Sequence, residues 1–174
     1  MTARGVSAAR PLSPFGWLGA PMLLSALATV VFATPIRIFS LPLPEPVFPL
    51  ALAFAWAVIR PSILPPFALL ALGLFLDVCW DGPQGLWPLC LLAAYATVLA
   101  ARRLITGQDF RIMWAWYGAV TAAAFAAGFV LMTMDAGAAP NLLAVAWQYL
   151  ATLALFPLVH RLIERYEDAD VRFR

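Results

Sequence analysis

The sequence predicts an all-α, multi-pass membrane bundle of about six transmembrane helices. Of 174 residues, 64% are hydrophobic and only 11% charged. With a mean hydropathy of +0.88, the chain has too little polar surface for a soluble domain. Its apolar stretches recur between short breaks rich in Pro, Gly or Arg. At about 20 residues per crossing, the length accommodates five or six spans and no soluble domain beside them. Chemistry therefore has to come from the bundle or its rims. The net charge of +2 comes from arginine against acids, with no Lys, and is too small and dispersed to suggest nucleic acid. The expected organisation is an N-terminal segment over 1–14, a six-span domain over 15–160 and a C-terminal tail over 161–174.

Arg4 and Arg10 precede the first apolar run, Phe15 to Thr34, and make the positive flank of an uncleaved span. A cleaved signal peptide is the competing reading, with Val31 and Ala33 as small-residue positions, but the run exceeds a usual signal core. Four prolines in Pro35 to Pro46 exclude a regular helix and predict an extended or irregular rim segment, which carries Arg37 and Glu45. The second run, Val47 to Ile59, is short for a span and holds Pro49 near its start. Arg60 and Pro61 stop it. Pro65 and Pro66 open the third, Phe67 to Trp80, which is again short, so these two spans are expected to be tilted or thin and to leave a dented bundle. The fourth runs from Leu86 to Ala101, with Trp87 and Tyr95 as interfacial or packing aromatics, and Arg102, Arg103, Gln108, Asp109 and Arg111 are expected in the following loop. In the fifth, Ile112 to Met134, Gly118, Ala122 and Ala126 repeat at four-residue spacing, as do Ala119, Ala123 and Ala127. Such a side can approach another helix closely, within the chain or in a homo-oligomer. A sixth span covers Leu142 to Val159, with Pro157 near its end, and Tyr166 to Arg174 form a mixed-charge tail.

If the N-terminus is cytoplasmic, six spans put ten of the eleven arginines inside and leave Arg37 alone outside. Arginine bias near span ends sets orientation, so both termini are expected in the cytoplasm. Asp77, Asp81 and Arg37 then share the outer side.

Asp77 is the first candidate residue. A carboxylate near the end of an apolar helix meets the negative end of the helix dipole where water is scarce, so something has to hold it. Asp81, four residues on, would share its face on a continuing helix and form a pocket cap or partner contact. The plainer reading pairs Asp77 with Arg37 or a backbone donor, and gives Asp81 to the turn and the start of the fourth helix. Gly73 is read as allowing close helix approach, and Gly82 and Gly85 as supplying positive φ or relieving crowding. Cys79 and Cys90 read as packed thiols, since no further ligands cluster with them. Ser25 has no His or Lys companion, His160 lies at the face opposite Asp77, and there is no phosphate loop or metal-ligand cluster. No enzyme and no cofactor is expected.

The stretch LGLFLDVCWDGPQGLWPLCLLAAY, preceded by PLALAFAWAVIRP, resembles the core of the bacterial rod-shape-determining MreD family. Gly73, Asp77, Gly82 and Gly85 match the family's Gly-x-x-x-Asp segment and its G-x-x-G turn position by position. The likeness extends over nearly the whole chain through span number and loop length. It implies a non-enzymatic inner-membrane component of the rod complex, or elongasome, working in peptidoglycan synthesis with MreC, MreB, RodA and a class B penicillin-binding protein. The family is also similar in architecture to the S-components of energy-coupling-factor transporters. That similarity implies an alternative, a small-molecule-binding subunit capped by the Pro35 to Pro46 segment.

Overall fold

The computed structural model describes residues 15–33, 37–38, 41–42, 45–137 and 140–171 and is an all-α helical bundle. A π-helical turn, Phe15–Gly19, leads into α1, Ala20–Ala33. There follow α2, Phe48–Ile59; α3, Leu64–Cys79; α4, Leu86–Ile105; α5, Phe110–Ala136; α6, Leu142–Leu153; and α7, Phe156–Val171. Within the proline-rich first loop, Arg37–Ile38 (β1) and Leu41–Pro42 (β2) pair antiparallel, Arg37 opposite Pro42 and Ile38 opposite Leu41. Four stretches are long and apolar enough to cross a membrane: Gly16–Ala33, Leu86–Ile105, Phe110–Asp135 and the joined α6–α7 rod, Leu142–Tyr166. The chain is a membrane protein by that measure.

The expectation of two short helices holds, and their placement explains why they can be short. With 12 residues, α2 is about 18 Å long, well under the ~30 Å of a bilayer core. Every residue from Pro49 to Val58 is buried. A helix that is apolar all round and buried all round is a core element, and α1, α3, α4, α6 and α7 surround it. Ala53, Ala55 and Ala57 have no exposed surface, which lets neighbouring backbones come close, while Leu50, Phe54 and Trp56 fill the gaps between them. By contrast, α3 shows Phe67, Leu70, Leu74 and Val78 to its surroundings and buries the opposite stripe, Leu69, Leu72, Gly73, Leu76 and Asp77.

Local chemistry sets the helix ends. Arg60 is extended, as the residue before Pro61 prefers, and ends α2. Pro65 and Pro66 fall in the first turn of α3, where missing amides cost nothing, so that helix starts three residues before the expected Phe67. Asn141 caps α6, its side-chain oxygen accepting from the Leu143 amide at 3.0 Å.

Three expectations need correction. Arg102 and Arg103 are not in a loop: they form the last turn of α4, where cations complement the helix dipole, and the chain leaves the helix only at Thr106 and left-handed Gly107. The sixth span holds as one apolar stretch, but its helix is interrupted. It breaks at Ala154 and Leu155, because Pro157 has no amide for the Leu153 carbonyl and its ring would clash there. Beyond the break α7 runs to Val171, so the expected tail begins as helix. The repeated small residues of α5 divide: Gly118 sits against Leu153 and Tyr149 of α6, whereas Ala119, Ala122, Ala123, Ala126 and Ala127 are exposed.

Close packing of α2 makes a direct prediction. Enlarging a fully enclosed alanine, Ala53→Leu or Ala57→Leu, should destabilise the detergent-solubilised protein by about 1 to 3 kcal/mol. The same change at exposed Ala100 of α4 should stay within about 0.5 kcal/mol, read as midpoint shifts in denaturant or thermal unfolding.

Candidate functional site

Five of the six candidate residues from the sequence, Gly73, Asp77, Asp81, Gly82 and Gly85, fall in or beside the corner between α3 and α4, while Arg37 belongs to β1 of the first loop. The two helices pack antiparallel, with Gly73 against Pro88, Asp77 against Gly85 and Trp87, and Ser62 against Tyr95. An ideal Cβ on Gly73 would lie 2.5 Å from both the N and Cα of Pro88 and 2.8 Å from its Cδ. Backbone atoms in two packed helices cannot swing away, so only glycine permits this approach.

One turn further along, Asp77 is buried, 4% exposed. Its Oδ2 accepts from the Gly85 amide at 2.6 Å and its Oδ1 from the Trp87 amide at 3.0 Å. These are amides of the N-cap and second residue of α4, so the side chain of one helix caps the next. The first turn of α4 is then accounted for in full. Leu86 donates to the Pro83 carbonyl, Pro88 has no amide to satisfy, and Leu89 begins the ladder on Gly85. A negative carboxylate at the positive end of α4 is also favoured electrostatically. Of the readings offered by the sequence, backbone donors hold Asp77. The side chain of Arg37, its other expected partner, lies outside the described residues.

The same residue finishes its own helix. Trp80 donates to the Leu76 carbonyl, and the Gly82 amide donates to the Asp77 carbonyl at 3.2 Å, a bond spanning five residues. Asp81 sits between them with φ of +48°, the left-handed residue of a Schellman ending. Two expectations change accordingly. Asp77 and Asp81 do not share a helix face, because the helix stops at Cys79 and Asp81 is exposed in the turn; Asp77, not Asp81, serves the start of α4. Gly85 has positive φ, +94°, as expected, but Gly82 has neither positive φ nor a crowded Cβ position; Asp81 takes the left-handed conformation in its place.

Around this corner the aromatics link the bundle. Trp80 meets Trp87 edge-on at 5.0 Å, Trp87 meets Phe125 at 6.2 Å, and Phe125 meets Tyr149 of α6 at 6.0 Å. Cys90 is buried one turn below and Cys79 half-buried, both as free thiols. Among the described residues, no three His, Cys, Asp or Glu side chains gather to hold a metal ion. His160 contacts Glu164 at 3.3 Å and the rings of Phe110 and Phe156, in the end of the bundle away from Asp77.

Two further inter-helix ties were not legible in the sequence. At the start of α2, the Val47 amide donates to Thr152 Oγ1 at 3.0 Å, while Tyr117 donates its hydroxyl to the Thr152 carbonyl at 2.8 Å. At the end of α2, Arg102 Nε donates to the Val58 carbonyl at 2.9 Å. A threonine in an apolar helix announces nothing; the one available signal was Pro157, which marks a break nearby and therefore free backbone groups.

These contacts rank the corner residues. Asp77→Ala should destabilise by about 1 to 3 kcal/mol by stranding two amides, and Asp77→Asn, which keeps one carbonyl oxygen, by less. Gly73→Ala should cost at least about 1 to 3 kcal/mol through the Pro88 clash, and Gly82→Ala should stay within about 0.5 kcal/mol. Unfolding midpoints in detergent check the order.

Compared with family models, curated proteins and solved structures, the chain finds no match.

Proposed function

We propose that this chain is a non-enzymatic, multi-pass component of the bacterial inner membrane that serves the rod complex. There it supports cell shape and lateral peptidoglycan synthesis by binding MreC, alongside MreB, RodA and a class B penicillin-binding protein. The observation that carries this reading is the corner itself. Gly73, Asp77 and Gly85, the residues of the family resemblance, are each spent on building one rigid junction between two membrane helices. A carboxylate that accepts one backbone amide on each oxygen suits an architectural part better than a general acid or base. Both termini are assigned to the cytoplasm, because Arg60, Arg102, Arg103, Arg111, Arg161 and Arg165 all belong to the inner ends of their helices in a six-crossing path.

One observation favours a second reading, a small-molecule-binding transporter subunit. The start of α2 is tied to Thr152, ten residues or about 15 Å along α6 from its first residue and beside the helix break. Interrupted helices meeting at membrane depth are a recurrent way to build a substrate site.

Purification in mild detergent separates the two. Rod-complex proteins that co-purify, and are lost with Gly73→Ala while Gly82→Ala retains them, support the first reading; a small molecule released on unfolding supports the second. Hydrolysis of a lipid-linked substrate that disappears with Asp77→Asn would overturn a non-enzymatic role. For topology, a reporter active only in the cytoplasm should work when fused after Arg103 or Arg174 and stay silent after Asp135; activity at Asp135 overturns the six-crossing path.

A further inference from the structure

At the opposite end of α4 from Asp77, arginines of α4 and of the α2–α3 connection lie on one rim of the bundle. Arg102 bonds to the Val58 carbonyl, which places its guanidinium at the end of α2. Arg60, exposed, is the cap of that same helix end, two residues beyond Val58. Arg103, also exposed, follows Arg102 in the last turn of α4. Tyr95 lies within electrostatic reach of Arg102 and directs its hydroxyl at the Ser62 carbonyl, 3.5 Å away, drawing the 60–63 loop onto α4. The Ser62 hydroxyl is buried and has no hydrogen-bond partner. Among the described residues, none of these arginines forms an ion pair; the single pair is that of His160 with Glu164. Arginines on one rim with no ion pair to hold them call for an anion with several acceptor oxygens.

The surroundings point to the kind of anion. Directly after Ser62 the exposed face of α3 begins, with Ile63 77% and Phe67 64% exposed, and it continues through Leu70 and Leu74. A cationic site at the foot of an unbroken apolar stripe matches a molecule with a phosphate at one end and acyl chains at the other. We propose that the 60–63 loop and the last turn of α4 bind the headgroup phosphate of an anionic phospholipid, whose chains lie along α3. Arg60 and Arg103, both exposed, are the recognition groups, and Arg102 is shared between this site and the end of α2.

The test uses the full chain stripped of lipid in detergent, offered phosphatidylglycerol, phosphatidylcholine or inorganic phosphate. Bound lipid is counted by native mass spectrometry and stability read as a melting temperature. Phosphatidylglycerol should be retained and raise the melting temperature, more weakly as salt increases, while phosphatidylcholine and inorganic phosphate should not. Arg60→Gln with Arg103→Gln should weaken phosphatidylglycerol binding about thirtyfold, leaving the melting temperature without it nearly unchanged. Arg161→Gln with Arg165→Gln, on α7, should not. Equal retention of the two lipids, or a double variant at Arg60 and Arg103 that binds as before, overturns the site. Equal stabilisation by inorganic phosphate overturns its assignment to lipid. Should that double variant fail to accumulate, Arg103→Gln alone decides: weaker phosphatidylglycerol binding with unchanged melting in phosphatidylcholine supports the site, and unchanged binding overturns it.

Discussion

Backbone polar groups that cannot reach water must find partners inside the protein, and this requirement governs the bundle. Helices that span a bilayer end in the headgroup region, where water serves their free amides and carbonyls. Here several helix ends do not have that outlet, and each is closed by a side chain from another helix. Asp77 of α3 holds the first amides of α4, Thr152 of α6 holds the amide before α2, and Arg102 of α4 holds a carbonyl at the end of α2. Trp56 of α2 donates its indole N–H to the Trp17 carbonyl in the π-helical turn that opens α1, again satisfying a group its own helix leaves over.

Each such bond joins two elements distant in sequence, so the caps also define the tertiary arrangement. Removing one leaves a polar group stranded in a low-dielectric interior and loosens a helix contact at once. The arrangement centres on α2, which is too short to cross the bilayer alone and has no lipid-facing side. Its apolar surface is buried against protein on every side, and the helices around it keep one face each for the membrane.

The two ends of α4 show one helix doing different work. At one end a buried carboxylate meets the positive end of the dipole, and the charge is fully engaged. At the other, arginines lie beside a helix C-terminus and, among the described residues, form no ion pair. The first is complete without an outside partner. The second is the place proposed for an anionic lipid headgroup.

Composition and the spacing of prolines and arginines determined a great deal: a membrane protein, a helical bundle, short second and third helices, and a tight corner with Asp77 at its centre. These follow from local physics, since apolar run length, proline's missing amide and the conformational freedom of glycine act within a few residues. Gly73 was legible as a close-approach residue, but that Pro88 is what approaches it was not, because the partner is set by the register of two helices. Asp77 was visible as a problem, and its solution by the amides of Gly85 and Trp87 was not. Asp81 took the left-handed conformation expected of Gly82, since either can follow a helix end and the five-residue bond from Gly82 to Asp77 selects between them. That α2 is wholly enclosed, and that Thr152 and Arg102 close its two ends, was decided by tertiary structure alone. A threonine or an arginine in an apolar helix has no preferred partner until packing brings one within hydrogen-bond reach.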